Sequence, residues 1–218
     1  AHCAAFDLGL GWSGYPYGLW LASMMLRSGN LQRVLLLHGE TPTHYASDDD
    51  RAVALLFGDA GSATALEADG SADAPPAYFT LHTDGSGYDD LIIEAGGFRD
   101  RFCGDRSRHN VKMNGANVFN FTIKTVPPLI QDTLRLANRS VNDVDYYIFH
   151  QSNRFIIKHL IATCELPADR VPIVIDRFGN AGGPSVPLTV TQGLGLANDA
   201  GRRPLWLMLL GYGVGLSW

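Results

Sequence analysis

Two polar side chains thirty positions apart, His150 and Asn180, have the types and the setting to do chemistry. His150 closes the apolar run Val144, Tyr146, Ile148, Phe149 and opens the polar turn His150-Gln151-Ser152-Asn153. Asn180 follows a second apolar run, Val171 to Ile175, and precedes Gly182-Gly183-Pro184. Strand ends that feed helices are where α/β proteins build their sites. If both runs are strands of one sheet, an imidazole and a carboxamide meet over one pocket and can bind and polarise a carbonyl oxygen. Taken alone, His150 reads equally as a core histidine with satisfied nitrogens. A second candidate is Gly9-x-Gly11-x-x-Gly14, formally the dinucleotide fingerprint, with Glu40 as the ribose acceptor. The same glycines also serve a tight turn with no ligand.

The elements that must hold these residues read as alternating strands and helices. Ala4 to Leu8 reads as a short buried strand, followed by the glycine turn and a helix over Tyr15 to Ser28, with Pro16 in its first turn and Gly29 past its end. Val34 to His38 is the next buried strand. Ala52 to Phe57 and Ala63 to Leu66 bracket the turn Gly58 to Gly61. Glu67 to Pro76, rich in small and polar residues, divides the chain into 1–70 and 76–218. Tyr78 to His82 and Leu91 to Ile93 read as strands, and 97–110 as a basic loop with Arg99, Arg101, Arg106 and Arg108. A helix starts at Met113, is broken or kinked at Pro127-Pro128 and stops at Asn138. Helices over Phe155 to Cys164 and Ser185 to Ala197 and a strand over Leu205 to Leu210 complete an α/β pattern with largely parallel sheets.

Composition removes several classes of function. A net charge of −5 argues against a general nucleic-acid or anionic-membrane surface. No apolar run nears the ~20 residues of a membrane helix, and no secretion signal opens the chain, so the expected compartment is the cytoplasm. Cys3, Cys103 and Cys164 are too scattered for a disulfide framework or a zinc site, and no metal is expected. The loop arginines either attract the phosphate of a ligand or an acidic partner, or simply face solvent.

Six segments, in order, resemble the β-ketoacyl-ACP synthase III family of the thiolase superfamily. They are Phe6-Asp7-Leu8-Gly9-Leu10-Gly11-x-Ser13-Gly14-Tyr15, Phe57-Gly58-Asp59-Ala60-Gly61, Met113-x-Gly115-x-x-Val118-Phe119, His150-Gln151-Ser152-Asn153, Gly179-Asn180 with Ser185-Val186-Pro187, and Gly213-Val214-Gly215-Leu216. The resemblance implies a thiolase-like fold of duplicated strand-helix halves, with mixed, largely parallel sheets sandwiching buried helices, and a dimer with itself or a homologue. It implies an acyltransferase acting on thioesters of coenzyme A or acyl carrier protein by decarboxylative condensation, as in fatty acid or polyketide biosynthesis. No permanently bound cofactor is implied; the coenzyme A thioester is substrate. His150 and Asn180 would donate to the thioester carbonyl, and the N–H of Val214 with that of residue 12 would form the oxyanion hole. Phe155 stands where the family often has an arginine toward the carrier, and Asn153 and Arg154 lie beside it. Strands and helices that precede the nucleophile in the family are absent from this chain, so it is expected to be N-terminally truncated.

The departure from the family falls at the nucleophile. Residue 12 is Trp12 where a cysteine would take the acyl group from a helix N-terminus. Indole offers one N–H and no nucleophile. Ser13 does not replace it, because one step along a helix turns the side chain by about 100°. Covalent acyl transfer is therefore expected to fail. The open readings are an inactive partner subunit, a chemistry without an acyl-enzyme, and an altered residue in an ordinary enzyme. An NAD(P)-dependent oxidoreductase using Gly9 to Gly14 is the alternative from a different class.

Overall fold

The computed structural model describes residues 3–68, 70, 76–194 and 204–218. Its centre is β5, Tyr146–Phe149, paired in parallel with β6, Leu207–Leu210. Tyr147, Ile148 and Phe149 are all fully buried, so this ladder is covered on both faces. Successive side chains of a strand point to opposite faces. Accordingly Tyr147 and Phe149 join one cluster with Val126, Leu129, Ile130, Ile157 and Leu160, while Ile148 joins another with Tyr15 and Val186. The first cluster belongs to α2, Gly115–Leu136, and α3, Arg154–Thr163. The second belongs to α1, Gly14–Arg27, and α5, Ser185–Gly193.

On their other side α1 and α5 meet the antiparallel hairpin of β1, Arg33–Glu40, and β2, Ala60–Glu67. The layers thus run α2/α3, β5/β6, α1/α5, β1/β2, with helices sandwiched between sheets. Gly18 makes the close approach possible, since a Cβ there would lie 2.8 Å from Leu36 Cδ1. A short antiparallel pair, β3 (Leu91–Ile93) with β4 (Val111–Met113), covers Trp12.

Several expected elements differ. Residues 4–8 form no strand, and Phe6 and Leu8 are exposed; no described strand lies alongside to take their backbone groups. β1 alternates between half-buried and exposed residues instead of being buried throughout. Residues 78–82 form no ladder and are joined to the C-terminus through His82 and Trp218, and residues 51–56, ahead of Gly58, form turns. Of the described ladders β5–β6 is parallel and the other two are antiparallel, and a further parallel bridge joins Phe57 to Asn180. α2 passes unbroken through Pro127 and Pro128. Proline removes N–H donors there, and the buried Val126, Leu129 and Ile130 hold the helix against that loss. It stops at Asn138, φ 50°, with Arg139 N–H bonded back to Leu134 O.

Val171 to Ile175 is not a strand either. Pro172 has no N–H, and the Gln151 amide takes the place of a neighbouring strand, accepting from Val174 N–H at 3.0 Å and donating to Pro172 O. Residues 175–178 then make α4, one helical turn, Ile175–Phe178. The division expected over Glu67 to Pro76 and the end of the helix expected to reach Ala197 fall largely outside the described residues.

Candidate functional site at the ends of β5 and α4

His150 is held from both sides of its backbone. Its N–H donates to Leu210 O at 2.7 Å, carrying the β5–β6 pairing one residue further, and its carbonyl accepts from Ser152 N–H at 2.8 Å. The buried Tyr212 hydroxyl donates to the same carbonyl and lies 2.9 Å from Ser152 Oγ. Asn153 caps α3, its Oδ1 accepting from Phe155 N–H.

Asn180 arrives by another route. It follows α4 and Gly179, φ 67°, and its backbone pairs with the first half of the chain: Asn180 N–H to Leu56 O at 2.8 Å, Gly58 N–H to Asn180 O at 3.0 Å. The Phe57-Gly58-Asp59 turn is therefore the mount for Asn180, and a Cβ on Gly58 would collide with Phe178 O. The side-chain Oδ1 accepts from Gly182 N–H at 3.0 Å and Nδ2 donates to Ser152 O at 3.3 Å. Those partners orient the amide and leave one Nδ2 hydrogen for a ligand.

The expected meeting of imidazole and carboxamide occurs through Gly182. His150 Nδ1 lies 2.9 Å from Gly182 O and 2.8 Å from Ser185 Oγ, while Gly182 N–H holds Asn180. A carbonyl only accepts, so the hydrogen-bond network assigns the proton to Nδ1 and leaves a lone pair on Nε2. His150 is fully buried, and Nε2 has no partner among the described residues. Burial pushes the imidazole down to about 3 from 6.5, the Gly182 carbonyl opposing and the charge of His38 assisting. The group is neutral at physiological pH.

Trp12 closes the site. Its indole, 4% exposed, lies with ring centres 5.3 Å from His150 and 6.0 Å from Phe57, among Val53, Leu91, Val111 and Val118. It presses on Gly213, where no side chain would fit. The Trp12 and Val214 N–H groups have no acceptor among the described residues. Val214 lies against Gly11, and the Ser13 and Ser217 hydroxyls are 2.6 Å apart, joining the first turn of α1 to the terminal glycine loop.

Other expected groups fall elsewhere. Arg154 pairs with Asp176 at 2.9 Å. Phe155 is 66% exposed and stacks on Phe119 and His159. Arg108 is tied to Glu94 and Asp100, and Arg99 to the carbonyls of Ile93 and Glu94. Cys103 bonds within its own loop and Cys164 packs beside the α2/α3 cluster, where burial raises its thiol to about 11. Of the three glycines of the turn, Gly11 lies against Val214 and Gly14 against His38, while Gly9 faces open space. Glu40 accepts from Gly183 N–H at 2.9 Å, a role sequence reading missed along with Ser185 and Tyr212. The only local signal was the setting of Ser185 five residues after Asn180.

Known sequences and structures resemble this chain along its length. The profile of 3-oxoacyl-[acyl-carrier-protein (ACP)] synthase III matches residues 6–85, and that of its C-terminal part residues 134–218. A β-ketoacyl-[acyl-carrier-protein] synthase III of Roseiflexus castenholzii is 32% identical over 220 residues, covering 99% of this chain and 65% of the relative. A crystal structure of a 3-oxoacyl-(acyl-carrier-protein) synthase III superposes with a TM-score of 0.92 at 35% identity, over 100% of this chain and 67% of that one. The structure of a 3-oxoacyl-(acyl-carrier protein) synthase from Burkholderia xenovorans gives 0.87 at 39% identity, over 100% and 63%. The chain spans about two thirds of the length of such relatives.

Proposed function

Because the chain belongs to the 3-oxoacyl-[acyl-carrier-protein] synthase III family, with its thiolase-like α/β fold, we propose that it handles acyl thioesters of coenzyme A or acyl carrier protein. In this reading Asn180 Nδ2 donates to the thioester oxygen. His150 lies beside the same carbonyl with its Nε2 lone pair free. Nε2 takes the α-proton as the C–H bond breaks on enolisation, and the imidazolium so formed donates that proton to the oxygen on which the negative charge has developed. No acyl-enzyme forms. One observation carries the reading: the indole of Trp12 packs against the His150 imidazole, ring centres 5.3 Å apart and tilted by 33°, at the position the resemblance gives to the nucleophile.

Intact-mass measurement after incubation with acyl-coenzyme A tests it. The protein is expected to gain no mass, and Trp12→Cys to gain one acyl group. An unmodified Trp12→Cys would mean that the site has diverged beyond this residue.

A second reading is an inactive subunit that supports an active homologue, as homodimer-type contacts in the family would allow. Leu55, Phe98 and Phe102, exposed at 99%, 99% and 89%, favour it. Co-elution with such a homologue, and loss of co-elution in Phe98→Ser, is its test.

A further inference from the structure

Glu40 and His38 lie on the inward face of β1, two residues apart, with side chains only 14% and 12% exposed. Tyr15 stacks on His38, and burial, followed by the charge of Glu40, raises Tyr45 to about 12. The Glu40 carboxylate thus faces inward, toward the loop after Asn180. Its Oε1 accepts from Gly183 N–H at 2.9 Å and lies 3.3 Å from His38 Nε2. Both glycines are required by this approach: Cβ atoms at 182 and 183 would collide with Glu40 and His38, and Gly182 has φ 66°.

The N–H that Glu40 holds and the carbonyl that faces His150 belong to one peptide group, between Gly182 and Gly183. A carboxylate at the N–H end polarises the group and makes its oxygen a stronger acceptor. Ser185 Oγ can support either tautomer of His150, since a hydroxyl both donates and accepts. Only the Gly182 carbonyl discriminates between them.

We propose that Glu40 is a positioning residue for His150, acting through the Gly182–Gly183 peptide to keep the proton on Nδ1 and the lone pair on Nε2. His38 steadies the carboxylate. The catalytic consequence, a Nε2 kept free to take a proton as charge develops on a thioester oxygen, rests on the thioester reading; the orienting link does not.

Nitrogen-15 NMR of the histidine rings tests the link without any substrate. In the native protein His150 is expected as the Nδ1–H tautomer. Glu40→Gln keeps an oxygen for Gly183 N–H and should keep that tautomer. Glu40→Ala leaves the Gly182 carbonyl in place but removes the charge that polarises it, and should shift the tautomer ratio about twofold or more toward Nε2–H. An unchanged ratio in Glu40→Ala overturns the proposal, as does an equal shift in both variants. If Glu40→Ala does not fold, the Gly183 amide proton decides: Glu40→Gln should move it upfield from its native position, and no movement overturns the link. A failure of Trp12→Cys to become acylated would sink the thioester reading and leave this measurement intact.

Discussion

Around β5 the paired strand and one whole covering layer come from the second half of the chain, with Tyr15 of α1 packing on the other face, whereas β1 is covered on one face only. Tyr147, Ile148 and Phe149 are fully buried between helices, while Leu35 and Leu37 of β1 are 61% and 68% exposed. Yet the half-covered region reaches the site, through Trp12, Glu40 and the Phe57 turn. A rigid platform therefore sets where His150 stands. Contacts from the looser half set which groups it meets.

The contrast can be broken or sharpened by mutation. The largest stability loss is expected from Trp12→Ala, about 3–5 kcal/mol in denaturant unfolding, because the indole is the centre of the cluster beneath β3 and β4. Leu160→Ala, in the fully buried face of α3, should cost about 2–5 kcal/mol. If Trp12→Ala costs much less than Leu160→Ala, the indole is a loose cover and the contrast deepens. Ser185→Ala should cost about 1–3 kcal/mol, since it strips the buried Gln151 N–H of its acceptor and His150 of a partner.

The pH dependence of unfolding reports on His150. Below pH 6.5 the unfolded chain takes a proton that the buried imidazole, held down to about 3, refuses. Stability should therefore fall as pH drops from about 6.5 toward 3, by at most about 1.4 kcal/mol per unit, with no contribution above 6.5. Subtracting the curve of His150→Gln isolates this loss, and parallel curves would show the imidazole to be wetter than its burial indicates. The smallest effect is expected at Leu37→Ala, within about 0.5 kcal/mol, because the side chain already faces solvent. A loss approaching that of Leu160→Ala would show that something covers the outer face of β1 in solution.

How much was legible follows the range of the interactions involved. α1 could be read because Pro16 and Gly29 mark its ends locally, and β5 because a short apolar run ends at a polar turn. Of the two outcomes expected at Pro127-Pro128, the break does not occur: α2 runs on, because a local rule for ending helices lost to burial of the flanking residues. Val171 to Ile175 was misread because its strand-like backbone partner is the amide of Gln151, about twenty positions earlier. Glu40 looked like a ribose ligand at a strand end; its partner is Gly183, 143 positions away.

By itself the sequence determined the types of group available: an imidazole, a carboxamide, glycines where backbones must touch, and no thiol at residue 12. It also carried the family, because ordered segments of that kind are fixed along the chain. The tertiary structure alone decided the rest: that the indole packs against the imidazole, that one peptide group faces both His150 and Glu40, and that Nε2 is the unpartnered nitrogen. The reason is physical. A residue's chemistry is covalent and local, but its protonation, tautomer and access depend on the field and hydrogen bonds of neighbours that only folding assembles.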